Sequence, residues 1–382
     1  MKIGRNCAWM MLCAFIILLW SPAAVRAETL DIKAESYVLM DADSGQVLLA
    51  HNEHERMAPA SMTKLMTLIL AAQDLEAGKA SLTDIVVTSE NAWKMGGSQI
   101  YLEPGEKMSL EEMLIAIAVG SANDACVAVA EHLEGSHEAF VERMNQTAQE
   151  MGLKNTHFVN SYGLSAEGHY TSSYDMAVIA RHALQYPKIL EYCAIKEYDL
   201  RNGEFKLWNT NKLLWWFQGT DGFKTGWTNE AKYCLAATVK RDGLRLIAVV
   251  MASPEPRGHF SDSMVLFNYG FAKHAYKSFF EKGNVCGTVK VGKGVVDSIE
   301  VVAAADVGTI CLKGEEKSLS YSQVLPDYID APILKGQKIG EIQIYKDQLL
   351  IKQVDLVAAQ DVPQAGAVKE ILKLLQGVFL IR

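Results

Sequence analysis

The sequence predicts an α+β domain, a small β-rich domain after it and an amphipathic C-terminal helix, and three observations carry that expectation. Strand-like segments near the N-terminus and again before about Lys277 bracket a long, mostly helical stretch, which reads as one antiparallel sheet of about five strands with a helical insertion. Beyond about Lys277 the pattern changes to short alternating stretches between glycines and charges. The last segment, from about Ala365, places Val368, Ile371, Leu372 and Leu375 at helical spacing. At 382 residues and 49% hydrophobic content, the chain has enough apolar material for two domains with cores of their own.

Each element has its own signal. Lys2 and Arg5 precede an apolar run from Ala8 to Trp20, and Val25 and Ala27 fit the small-residue cleavage rule. Residues 1–27 therefore read as a signal peptide cut after Ala27, and the chain as exported. Ser36–Met40 and Gln46–Ala50 flank Asp43-Ser44-Gly45, a hairpin signal. From Ser61 to about Ala77 the sequence is almost wholly apolar, rich in helix formers and closed by Gly78, so a buried helix is expected with Ser61 at its positive end. Ser109-Leu110-Glu111-Glu112 is a capping box opening an apolar run that Gly120-Ser121 interrupts. Helices are expected over Asp124–His132 and Ser136–Met151, which leaves Ser121-Ala122-Asn123 on an interhelical turn. Three strands follow over Thr220–Thr228, Tyr233–Lys240 and Leu244–Met251, the last two joined at Asp242-Gly243.

The β-rich domain is expected over residues 277–362, with strands near Gly287–Gly292, Val295–Val302, Ile339–Ile344 and Leu349–Val354. The tail, residues 363–382, is too short and too charged to span a bilayer; it reads as an in-plane anchor on a membrane surface, against an ordinary helix packed on the β-rich domain.

A net charge of −8 shows no basic excess, so no nucleic-acid partner is expected. Five cysteines remain after the signal (Cys126, Cys193, Cys234, Cys286 and Cys311), an odd and scattered set that reads as buried free thiols without a disulfide framework. His51 and His54 beside Glu53 and Glu55 fit a solvated turn, with no metal-ligand spacing, and no cofactor is implied.

Three short motifs occur in order: Ser61-x-x-Lys64 at a helix start, Ser121-x-Asn123 on a turn, and Lys224-Thr225-Gly226 in a strand. A serine and a lysine three apart share a helix face, which brings an amine to a hydroxyl without any histidine. Each motif alone is common. Together they resemble the set shared by class A β-lactamases and penicillin-binding proteins, with a fold of the β-lactamase/transpeptidase type. The resemblance implies Ser61 as nucleophile and Lys64 as its base, which must be neutral to act. Burial and a second cation at Lys224 would both lower the Lys64 pKa. Ser121 would relay a proton to the leaving amine, Asn123 hold a substrate peptide, Thr225 meet its terminal carboxylate and Gly226 let it lie against the strand edge. The oxyanion would be held by backbone amides, that of Ser61 among them.

Longer segments narrow the resemblance. Pro59-Ala60-Ser61-Met62-Thr63-Lys64-Leu65-Met66-Thr67, Asn160-Ser161-Tyr162-Gly163-Leu164, His169 through Ala177, and Asp221-Gly222-Phe223-Lys224-Thr225-Gly226-Trp227-Thr228 resemble the low-molecular-mass penicillin-binding proteins that are D-alanyl-D-alanine carboxypeptidases, especially the sporulation-associated type. That implies a metal-free serine peptidase acting on peptidoglycan stem peptides ending in D-Ala-D-Ala, acylated by β-lactams, at the outer face of the cytoplasmic membrane. The resemblance also implies Lys224 as substrate-binding. The family often carries an arginine after the last sheet strand to meet the substrate carboxylate; here His259 falls at that place, and Arg257, two residues earlier, could substitute, so both are candidate substrate-binding residues. Two other readings remain open. A β-lactamase shares the acylation machinery, although no Glu-x-x-x-Asn of the class A kind lies between Ser121 and Lys224, and a wall-binding module could be built on a weakly active version of the fold.

Overall fold

The computed structural model describes residues 30–366. The expected signal peptide, and the expected C-terminal helix from residue 367 on, lie outside the described residues. The described residues from Lys33 onward belong to one compact unit.

The predicted hairpin is present as β1 (Ser36–Asp41) and β2 (Val47–His51), its turn tied by the Ser44 amide donating to Asp41 at 2.8 Å. The helix expected from Ser61 begins instead as a 3₁₀ turn, Ala60–Thr63, and only then becomes α1 (Lys64–Glu76), buried on nearly every side. The tighter turn stacks positions three apart, which is the Ser61 to Lys64 separation. A short hairpin, β3 (Ile85–Val87) with β4 (Lys107–Ser109), encloses α2 (Glu90–Trp93) and the loop 96–102.

The capping box opens α3 (Leu110–Ile115) as predicted: the Glu112 amide donates to Ser109 Oγ at 3.2 Å. The helix then widens into a π turn, Ala116–Gly120, and Ser121 closes it in the left-handed region at φ 62°. A π turn followed by a left-handed non-glycine residue is a costly backbone choice of the kind found where a side chain must be aimed. Next come α4 (Asn123–Glu134), α5 (His137–Glu150, capped by Ser136), α6 (Ser173–Ala183), α7 (Pro187–Ala194), the hairpin β5 (Glu197–Leu200) with β6 (Phe205–Trp208), and the one-turn α8 (Leu213–Trp216).

The chain returns to the sheet with β7 (Thr220–Thr228), β8 (Lys232–Arg241) and β9 (Leu244–Ser253), and α9 (Gly258–Lys273) follows. Strand order is β2-β1-β9-β8-β7, antiparallel throughout, so the N-terminal hairpin joins the late strands through β1 and β9 (Val38 opposite Val249). β8 and β9 are buried on both faces and read as continuous apolar runs, whereas β7 is an edge strand. That edge carries Lys224-Thr225-Gly226.

The β-rich region comprises β10 (His274–Phe280), β11 (Val285–Gly292), β12 (Ser298–Ala303), β13 (Val307–Leu312), β14 (Leu319–Val324), β15 (Tyr328–Asp330), β16 (Lys338–Lys346) and β17 (Leu349–Ala358). Six of these form the sheet β14-β16-β17-β12-β11-β15, and β10 pairs with β13. Val289, Val301, Ile342, Ile344 and Leu356 lie in a hydrophobic cluster separate from the one around α1. The two regions meet at an ion pair, Lys352 Nζ to Asp43 Oδ2 at 2.6 Å.

Candidate active site

Lys64 Nζ lies 2.9 Å from Ser61 Oγ, 2.6 Å from Asn123 Oδ1 and 2.5 Å from the Tyr162 carbonyl, and Lys64 has no exposed surface. Two of these partners can only accept. They take two of the amine's hydrogens, and the third direction points at the Ser61 hydroxyl. Burial is the main force on the amine, lowering its pKa to about 8.

The neighbouring loop is shaped for this contact. Asn160 Oδ1 accepts from the Tyr162 and Gly163 amides (3.2 and 2.6 Å), curling the segment so that the Tyr162 carbonyl faces Lys64. Gly163 adopts φ +94°, and a Cβ there would stand 1.9 Å from the Ala60 carbonyl oxygen, so no other residue fits against the turn that carries Ser61. That turn is also fixed from below. Thr63 Oγ1 donates to the Ala60 carbonyl at 2.9 Å, and His169 Nε2 lies 2.9 Å from Thr63 Oγ1. His169 Nδ1 accepts from the Val159 amide at 2.9 Å, so Nε2 carries the proton of a neutral ring.

Asn123 is tied into the same network: Oδ1 accepts from Lys64, and one of the two Nδ2 hydrogens is donated to the Gly96 carbonyl at 2.6 Å. The loop 96–102 is held there by the Asn123 amide donating to Ser98 (2.8 Å) and by buried Asp124 accepting from the Ile100 and Leu102 amides. Ser121 is buried two residues before Asn123, at the left-handed turn.

On the edge strand, Lys224 is wholly buried, with Nζ 3.2 Å from the Thr225 carbonyl and 3.5 Å from Thr210 Oγ1; Thr225 Oγ1 donates to Thr210 Oγ1 at 2.7 Å. Burial, with the like charge of Lys64 second, lowers Lys224 to about 7. The expected cause at Lys64 is thereby revised: burial leads there, and the mutual repulsion is felt at Lys224. Gly226 brings the strand to the nucleophile, since a Cβ on it would be 2.9 Å from the Pro59 carbonyl oxygen and 3.1 Å from the Ser61 nitrogen. Its missing side chain serves that close approach.

Arg257 and His259 stand apart from this network. His259 is buried and stacked on Tyr233 (centroids 5.6 Å apart, planes at 12°), and burial lowers its pKa to about 4, so at neutral pH it offers no charge to a carboxylate. Its Nδ1 has no hydrogen-bond partner among the described residues. Arg257 is exposed in the left-handed region at φ 67°, its guanidinium 5.9 Å over the Trp216 ring.

Thr210, the Tyr162 carbonyl that accepts from Lys64, and the loop at Gly96 join the site without having been singled out in the sequence. Tyr162 and His169 lie in segments that carried the family resemblance; for Thr210 the sequence held no signal. The five cysteines are buried free thiols, in keeping with expectation.

The buried histidines make a stability prediction. His169 and His259 both have native pKa values of about 4 against 6.5 for an exposed imidazole. Between those limits the unfolded chain binds more protons, so their contribution is complete above pH 6.5 and is lost as the pH falls toward 4, on the order of 3 kcal/mol per histidine. Urea midpoints measured from pH 7.5 to 4.5 should fall accordingly, and a flat profile would show that these rings are not buried neutral.

A family model described as D-alanyl-D-alanine carboxypeptidase matches residues 23–255, and one described as penicillin-binding protein 5, C-terminal domain, matches residues 275–364. The chain is similar to the D-alanyl-D-alanine carboxypeptidase DacF of Bacillus subtilis, 41% identical over 366 residues that cover 93% of this chain and 94% of the relative. It is 35% identical to DacA of Escherichia coli over 384 residues, 94% of this chain and 93% of the relative. Among solved structures, penicillin-binding protein 5 from Haemophilus influenzae matches with a TM-score of 0.68 at 34% identity, over 87% of this chain and 98% of that chain.

Proposed function

Because the chain belongs to the D-alanyl-D-alanine carboxypeptidase family, and is thus a serine D-Ala-D-Ala carboxypeptidase of the penicillin-binding kind, we propose that Ser61 is its acylated nucleophile and Lys64 the base that activates it. The observation that carries the assignment is the Lys64 amine, with two acceptor-only partners and its remaining direction on Ser61 Oγ at 2.9 Å.

The steps follow from that geometry. A neutral Lys64 donates its two hydrogens to Asn123 Oδ1 and the Tyr162 carbonyl, and its lone pair accepts the Ser61 proton as Oγ attacks the carbonyl carbon of the penultimate D-alanine. The oxyanion is held by the Ser61 N–H, which the close approach of Gly226 sets beside β7. The substrate carboxylate lies near Thr225 and keeps Lys224 protonated, while burial favours the neutral amine at Lys64. Ser121 passes the proton that Lys64 took from Ser61 on to the leaving D-alanine, and water releases the acyl group. Asn123 positions the Lys64 amine through Oδ1, and its second Nδ2 hydrogen is the donor that holds the substrate peptide. Arg257 is the charged candidate for the outer side of the carboxylate, and His259 contributes packing. β-Lactams enter the same acylation step, and peptidoglycan stem peptides are the natural substrates. A β-lactamase reading needs a deacylating carboxylate for which no residue speaks.

We place the catalytic domain at residues 28–276 and the β-rich domain at 277–362, a division supported by the two separate cores. Residues 363–382 are proposed as a peripheral anchor on the outer face of the membrane. No helix among the described residues is long and apolar enough to cross one. Deleting residues 365–382 should move the protein from the membrane pellet to the supernatant with unchanged pentapeptide turnover; a truncated protein that still pellets refutes the anchor.

The direct test of function is D-alanine release from a pentapeptide ending in D-Ala-D-Ala alongside labelling by a fluorescent penicillin. Release with a lasting label is expected. Rapid penicillin hydrolysis without a lasting label would turn the assignment to a β-lactamase.

A further inference from the structure

All five tryptophans among the described residues are well exposed: Trp93 49%, Trp208 54%, Trp215 39%, Trp216 49% and Trp227 55%. Indole is the largest apolar side chain and is highly buried on average, so a chain that keeps every described one in water has a use for them there. Four of the five flank the strand that carries Lys224-Thr225-Gly226. Trp227 follows Gly226 directly on β7. On the other side, Thr210 is bonded to Thr225 Oγ1 at 2.7 Å, with Trp208 two residues before it and Trp215 and Trp216 on the helical turn just after.

Two of the rings, Trp216 and Trp227, are fixed by aromatic packing. Trp216 packs edge-on against Phe260 (5.4 Å), Phe260 meets His259 (3.9 Å), His259 stacks on Tyr233 (5.6 Å) and Tyr233 meets Trp227 (6.2 Å). This row runs from one exposed indole to another through a buried middle. It also accounts for His259, a buried neutral ring that bridges two aromatics where the family often carries an arginine. Cations sit over the exposed rings: Lys206 over Trp208 at 5.1 Å, Lys212 over Trp215 at 4.8 Å and Arg257 over Trp216 at 5.9 Å. Rigid, half-exposed indoles beside amine donors match the chemistry of a pyranose chain, which stacks its C–H face on a ring and accepts hydrogen bonds through its hydroxyl and acetamido groups.

We propose that Trp208, Trp215, Trp216 and Trp227 form a stacking surface for the amino-sugar glycan strand of the wall polymer, on both flanks of the strand that takes its peptide. The identity of the polymer rests on the carboxypeptidase reading. Continuity decides the occupant: the surface begins where Thr210 and Gly226 leave the reaction site, so a ligand extending from that site meets it first. A lipid surface has no such continuity.

The test uses the exported, signal-free protein and insoluble glycan strands of N-acetylated amino sugars from which the peptides have been stripped. Wild type should pellet with the strands. Trp216→Ala should weaken pelleting about tenfold, Trp215→Ala/Trp216→Ala should weaken it further, and Trp216→Tyr should restore most of it. Labelled-penicillin acylation, which needs no glycan, should stay within about twofold of wild type in each variant and so reports an intact fold. The proposal is overturned if wild type does not pellet, if the alanine variants pellet equally, or if they lose binding to anionic phospholipid vesicles while keeping the glycan. Wild type that binds the stripped strands but neither takes penicillin nor releases D-alanine leaves the stacking surface standing and removes the carboxypeptidase reading.

Discussion

Ser61→Ala abolishes D-alanine release from a pentapeptide mimic, with a loss of about 10⁴- to 10⁶-fold, and takes no covalent penicillin label. The size of the effect follows from the absence of a second nucleophile in the Lys64 hydrogen-bond set: its other two partners, the Asn123 amide oxygen and the Tyr162 carbonyl, cannot form an acyl ester. The variant should fold as well as wild type. Thr63, His169 and Gly163 hold the 3₁₀ turn through the Ala60 carbonyl and the Thr63 hydroxyl, and none of them touches Ser61 Oγ. A Ser61→Ala protein that still releases D-alanine at more than about one hundredth of the wild-type rate would place the nucleophile elsewhere.

The two lysines should fail in different ways. Lys64→Met removes the base, and acylation by a β-lactam should fall by about 10³- to 10⁴-fold at every pH from 6 to 10. In wild type the acylation rate should rise with pH through an inflection near 8, where burial has placed the Lys64 amine. Lys224→Met keeps that inflection, because burial and not the neighbouring charge is the leading cause at Lys64, and loses chiefly affinity for substrates that carry a carboxylate. Second-order acylation rates across that pH range for the three proteins separate the roles. An inflection that disappears in Lys224→Met while surviving in Lys64→Met would reverse them.

Much of this was legible in the chain. The hairpin at Asp43-Ser44-Gly45, the capping box at Ser109 and the three late strands are local signals, because turn chemistry and period-two alternation are written within a few residues. The pairing of β1 with β9 is not local, yet two groups of strands around a helical insertion allowed one sheet to be expected. What stayed hidden depends on long-range packing. Thr210 is an ordinary threonine until the fold sets it against Thr225 and Lys224. Asn123 reads as a substrate ligand, and only the return of the loop 96–102 shows that one of its amide hydrogens also holds that loop through the Gly96 carbonyl. Gly226 read as room for a ligand; the structure adds that its bare Cα is what lets β7 meet the Ser61 turn. His259 stands where the family often carries an arginine, and burial between Tyr233 and Phe260 keeps its ring neutral. Burial of a polar side chain is the property that sequence pattern conveys least, and each of these revisions turns on it.

The most direct test of the account is to trap the acyl-enzyme with a penicillin, digest it and locate the added mass by peptide sequencing. A single adduct on Ser61 is expected, formed faster as the pH passes about 8 and about 10³- to 10⁴-fold more slowly in Lys64→Met. An adduct on Ser121 or any other residue, or a Ser61 adduct that forms equally fast without Lys64, would contradict it.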